Sequence, residues 1–97
     1  MSVYAILSET PRAELRRSIE QTYPDSFYHW SETVSFVQTS GPAKSVAAKL
    51  GIKNRLDDGT VQEGFDKAVV IQVASSYYGW TKNTLWEWLK PALEASN

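Results

Sequence analysis

The apolar positions of the chain follow two periods, and their order predicts the elements. Val3, Ala5 and Leu7 alternate with Tyr4, Ile6 and Ser8, and both sets are largely apolar. That pattern predicts a strand over Val3 to Leu7, covered on one or both faces. Thr10 and Pro11 follow as a hydroxyl cap and a proline at the first helical position. The helix they announce places Leu15, Ile19 and Tyr23 on one stripe, turns Arg12, Arg16, Arg17 and Glu20 to water, and ends at Pro24.

Phe27 to Trp30 and Thr33 to Thr39 are aromatic and β-branched, and read as two strands joined through Ser31 and Glu32, with Val34 and Phe36 on one face. Ser40, Gly41 and Pro42 introduce a second helix with a narrow stripe of Ala43, Val46, Ala47 and Leu50. Gly51 closes it as a left-handed cap, with Ile52 placed for the accompanying hydrophobic contact.

Lys53 to Asp66 has no sustained period and reads as a long exposed loop, with room for a short hairpin. Ala68 to Ala74 is the strongest buried-strand signal, since only Gln72 interrupts it. After Ser75, Ser76, Tyr77, Tyr78 and Gly79, Thr81 is placed to cap a last helix bearing Leu85, Trp86, Trp88, Leu89 and Leu93, which Pro91 is expected to kink or end near Leu89. Strand, helix, two strands, helix, strand is the ferredoxin-like order. It predicts a single α+β domain over residues 1–97, with a four-stranded antiparallel sheet, two helices on one face and an added C-terminal helix. The opposite sheet face is then solvated, covered by that last helix, or buried against a second subunit.

Composition narrows the function classes. The 97 residues are 42% hydrophobic and 22% charged, which suits one folded core rather than a disordered chain. There is no cysteine, so neither a disulfide, a thiolate metal site nor a thiol nucleophile is available, and a reducing cytoplasm suits the chain. The Val3 to Leu7 run is too short for a signal-peptide core, and no segment approaches a membrane span. A formal charge of -1 gives no overall basic field for nucleic acid.

No complete catalytic, metal or nucleotide motif stands in the sequence, and no cofactor is expected. His29 is the sole histidine and reads as structural or superficial. Ser8 and Glu9 follow the first strand, where folds of this kind often carry an active residue, although ending the strand is sufficient reason for them. Asp57, Asp58, Glu63 and Asp66 make the long loop acidic without matching a calcium loop. Arg12, Arg16, Arg17, Lys44 and Lys49 form an ordinary basic helix surface diluted by acids. Tyr4 stands where the first strand of an RNA-recognition motif carries a stacking aromatic, but Ser35, Phe36 and Val37 lack the partner motif.

Aromatic residues are the strongest compositional feature, with four tryptophans and five tyrosines. Trp86 and Trp88 leave a helix in different directions, so one of them is available to an interface, or both cap the sheet. Trp30, Phe36, Tyr78, Trp80, Trp86 and Trp88 are the interface candidates.

From Tyr4 to Leu89 the chain resembles the small SinR-like family, similar in fold to CRISPR-associated adaptation subunits and VapD-type toxins. The likeness rests on Val3 to Leu7, on Tyr28-His29-Trp30 followed by Glu32, Thr33, Phe36 and Val37, and on Tyr78-Gly79-Trp80 with Trp86-Glu87-Trp88-Leu89. The resemblance implies a homodimer packed through sheet or strand edges, while the abundant aromatics and missing catalytic groups point to a protein or nucleic-acid partner. Nucleases of the related families carry an aspartate at the end of the first strand. Here the stretch reads Ile6-Leu7-Ser8-Glu9, and Glu9 is the only nearby carboxylate. A non-catalytic interaction or nucleic-acid accessory domain is therefore the leading expectation. The alternative is a metal-dependent ribonuclease or toxin, with Glu9, Ser8, Tyr4, Arg12 and Arg16 as metal or nucleic-acid candidates.

Overall fold

The computed structural model describes residues 1–74, 78–81 and 83–95. Its elements are β1 (Ser2–Ser8), α1 (Ala13–Thr22), β2 (Phe27–His29), β3 (Val34–Thr39), α2 (Ala43–Leu50), β4 (Asn54–Arg55), β5 (Val61–Gln62), β6 (Ala68–Val73) and α3 (Asn83–Ala95). The class is α+β. The main sheet has four strands in the order β2-β3-β1-β6, and every neighbouring pair is antiparallel. A separate two-stranded hairpin, β4–β5, stands between α2 and β6 and lengthens the simple six-element order.

Strand register divides the side chains between two faces. Tyr4, Ile6, Ser35, Val37 and Val70 share the inner face, which α1 and α2 cover with Leu15, Ile19, Tyr23, Val46 and Leu50. Val3, Ala5, Leu7, Val34, Phe36, Tyr28, Val69, Ile71 and Val73 share the outer face. There α3 packs Leu85, Leu89, Ala92 and Leu93 over Val3, with Phe36, Tyr28 and Val73 flanking them. The expected helix stripes and the pairing of Val34 with Phe36 on one face are what the structure shows.

Three local expectations are corrected. Thr10 does not cap α1: the cap position is Arg12, with no side-chain cap bond. The Ser8 hydroxyl donates to Thr10 O and the Glu9 N–H to Lys67 O, so the chain stays extended past Pro11 and the helix begins two residues later. Pro91 does not end α3, which runs on to Ala95. The lost bond and clash of an interior proline cost about 3 kcal/mol, but Ala92 and Leu93 beyond it are 6% and 5% exposed, and their burial holds the last turn. The Ala68 to Ala74 run is a sheet edge rather than a strand buried on both faces, with Val69 and Ile71 left 53% and 52% exposed.

The loop after α2 contains the short hairpin. Gly51 takes φ 83, the left-handed cap that glycine adopts without a steric penalty. Its carbonyl accepts from the Phe65 N–H, and Lys53 N–H donates back to Phe65 O, clasping both ends of the loop together. Gly64 lies so close to this clasp that a Cβ there would come within 2.1 Å of Gly51 O. The expected turn through Ser75, Ser76 and Tyr77 lies outside the described residues.

Candidate interaction surface

The end of β1 and the start of α1 bring together several of the polar candidates without building a reaction centre. Ser8 spends its hydroxyl on Thr10 O, and Glu9 is exposed. Arg12 donates to Asp66 at 2.6 Å, and that hydrogen bond holds the Asp66 carboxyl below its ordinary value. Arg12, Ala13, Glu14 and Phe65 line a hollow of about 350 Å³ beside the pair. The Arg16 Nε is buried and has no hydrogen-bond partner among the described residues. Tyr4 is 2% exposed and its hydroxyl donates to Gly41 O, so its ring belongs to the core and presents no face to a base.

The carboxylates of the acidic loop likewise have partners. Lys44 donates to Asp57 at 2.9 Å, and the Thr60 hydroxyl donates to Asp58 at 2.6 Å, so each carboxyl is held below its ordinary value by its own hydrogen bond. Among the described residues, no three histidine or carboxylate side chains gather as metal ligands do.

One constellation has the pattern of a nucleophile, a base and an orienting acid. His29 Nδ1 lies 2.7 Å from Ser35 Oγ, and His29 Nε2 lies 2.9 Å from Glu20 Oε2. A neutral imidazole satisfies both contacts, accepting the serine proton at one nitrogen and donating to the carboxylate from the other. Ser35, however, is 3% exposed and sits on the inner face among Tyr4, Ile6 and Val37. A nucleophile must reach a substrate carbon, and this hydroxyl faces the protein interior. The three residues instead fasten α1 to the β2–β3 pair by satisfying a buried hydroxyl.

The outer face is different in kind. Phe36 and Trp88 pack together with ring centroids 6.4 Å apart, Tyr28 and Trp88 at 6.1 Å, and the Tyr28 hydroxyl meets Thr84 Oγ1 at 2.7 Å. Gln38 Nε2 donates to Ala92 O at 3.2 Å. These contacts seat α3 over part of the face. Trp86 and Trp88 both pack beside its buried stripe, on the flanks, so the last helix takes up each of them. Trp30 donates from Nε1 to Thr81 Oγ1 at 3.2 Å and remains 47% exposed. Trp80 and Tyr78 are fully exposed, and Trp80 with Gly79, Thr81, Asn83 and Trp86 rims a shallow hollow of about 110 Å³.

Beyond α3 the face is open. Val69 and Ile71 stand opposite Leu7 and Ala5 on β1, forming an aliphatic strip with no charged side chain. The β6 edge runs alongside it, and among the described residues β1 is its only strand neighbour. Neither Val69 nor Ile71 stands out in the sequence, because a β-branched run looks the same in a central and an edge strand. Comparison with family profiles, with curated proteins and with solved structures finds no match to this chain.

Proposed function

We propose that the chain is a non-catalytic, dimeric interaction domain of ferredoxin-like arrangement, working through the open half of its outer sheet face and the β6 edge. The observation that carries the reading is the half-exposed Val69 and Ile71 on an uncharged edge strand. Soluble proteins usually blunt such an edge with lysine, proline or a bulge, and none stands within β6. The exposed Trp80 and Tyr78 add large apolar area of the kind enriched in protein contacts.

The ferredoxin-like assignment is supported by the strand order. In β2-β3-β1-β6, α1 joins two strands separated by one, and so does the connection through α2, which is the split β-α-β arrangement taken twice. The short β4–β5 hairpin is then an insertion before the last strand. The SinR-like resemblance implies the same arrangement. Site geometry lends cleavage chemistry little support: Asp57 and Asp66 are engaged in ion pairs, Asp58 accepts from the Thr60 hydroxyl, and the serine–histidine contact is buried.

Sedimentation of the purified protein over a wide concentration range tests the reading, alongside titration of single-stranded RNA with Mg²⁺ at low and physiological salt. Self-association with no RNA cleavage is the expected outcome. A strict monomer at high concentration counts against it, and cleavage that is lost in Glu9→Gln would replace it with the nuclease alternative.

A further inference from the structure

Resting on the dimeric reading above, we infer that the second copy joins edge to edge through β6, in an antiparallel pairing whose two-fold axis runs perpendicular to the sheet, midway between Ile71 and the partner's Ile71. The sheet has two edges, β2 and β6. β2 has only three residues, and Trp30 beyond it is tied to Thr81. β6 has six residues, pairs with β1 along one side, and presents the other side unpaired among the described residues. It contains no charge, no proline and no positive φ, whereas Lys67 just before it turns to φ 52 and ends the extended run.

The sequence of this edge is close to a palindrome. From Ala68 to Ala74 it reads Ala-Val-Val-Ile-Gln-Val-Ala, with Ile71 at its centre. An antiparallel two-fold centred there sets Ala68 opposite the partner's Ala74, Val69 opposite the partner's Val73 and Ile71 opposite the partner's Ile71. Only Val70 and Gln72 meet unlike residues, each facing the other's counterpart in the partner. Because the two-fold is perpendicular to the sheet, residues of one face meet residues of the same face, as the strict alternation of strand side chains requires.

Neighbouring registers fit less well. Centring on Val70 draws Lys67 into the paired stretch opposite Val73, and Lys67 has the wrong backbone for a strand. The Ile71 register keeps every charge outside. It also supplies about six to eight new main-chain hydrogen bonds over seven residue pairs, and apolar cross-strand pairs made by the half-exposed Val69 and Ile71. Two four-stranded sheets become one of eight strands, the mode by which an edge strand recognises another strand.

The absence of cysteine makes the geometry directly testable. Ile71→Cys introduces one thiol per chain, with the two Cβ atoms about 4.5–5.5 Å apart across the axis. Mild oxidation should convert most of this variant to a disulfide-linked dimer. Val69→Cys places its two thiols about 13 Å apart, four residues out of register at 3.3 Å each, and should remain unlinked. Val69→Cys combined with Val73→Cys restores linkage. A nitroxide on the thiol of the Ile71→Cys variant provides a second readout, since spectral broadening reports proximity without any demand on disulfide geometry. A protein that sediments as a dimer while the Ile71→Cys variant neither links nor broadens overturns the edge pairing and leaves the dimeric reading standing. A strict monomer overturns both.

Discussion

Replacing Ser35 with alanine separates a structural tie from a reactive group. The Ser35 hydroxyl is nearly sealed from water and meets His29 Nδ1 at 2.7 Å, while the other side of the imidazole reaches Glu20, whose side chain is 48% exposed. Ser35→Ala leaves His29 Nδ1 facing a methyl group in a site whose side chain is only 11% exposed. Leaving a buried polar atom unsatisfied costs about 1–3 kcal/mol. For a domain of this size each kcal/mol lowers Tm by about 4–8 °C, so a 2 kcal/mol loss gives a fall of about 8–16 °C. Glu20→Gln should cost under about 1 kcal/mol, because its contact with His29 is largely solvated. Urea unfolding followed by tryptophan fluorescence measures both variants. The reasoning fails if Ser35→Ala stays within about 0.5 kcal/mol of the parent, or if Glu20→Gln is the more damaging change.

Leu89→Ala removes a side chain 3% exposed from the centre of the α3 contact and should cost about 2–5 kcal/mol, read as a lower urea midpoint; a shift under 1 kcal/mol would mean that α3 is not seated on the sheet as described. Gly64→Ala drives a methyl group to 2.1 Å from Gly51 O, so protease cleavage between residues 51 and 66 should quicken more than tenfold, and unchanged cleavage would refute the clasp. Arg12 holds the Asp66 carboxyl below its ordinary value of 3.8, so the stabilisation it gives is complete above that pH and is lost as pH falls through the lowered value. Asp66→Asn should therefore narrow the stability gap to the parent in acid and, because the Asp66 side chain is 60% exposed, in high salt; a gap that widens on acidification contradicts the ion pair.

Much of the fold is written in periodicity. The α1 stripe of Leu15, Ile19 and Tyr23 is buried as its spacing demands, and Gly51 is a left-handed cap because no other residue takes φ 83 so readily. Local patterns fail where distant contacts decide. Thr10 has every property of a cap, but Lys67 and Asp66 hold the adjoining chain from the far side of the sequence. Pro91 breaks isolated helices, and here the sheet beneath Ala92 and Leu93 outweighs it. The exposure of Val69 and Ile71 is a matter of strand order, which a β-branched run does not encode, although the near-palindrome around Ile71 is visible in the sequence itself. Among the interface candidates, Phe36 and Trp88 are consumed by the α3 contact, while Trp80 and Tyr78 remain outside it.

Amide hydrogen exchange across Ala68 to Ala74 shows whether the β6 edge is a working surface. At concentrations where the protein self-associates, the amides of this stretch that point away from β1 should be protected in the parent. In Ile71→Lys, which sets two like charges on the axis, they should exchange at least tenfold faster, with the β1–β3 amides little changed. Equal exchange of the β6 amides in parent and variant at every concentration would contradict the account.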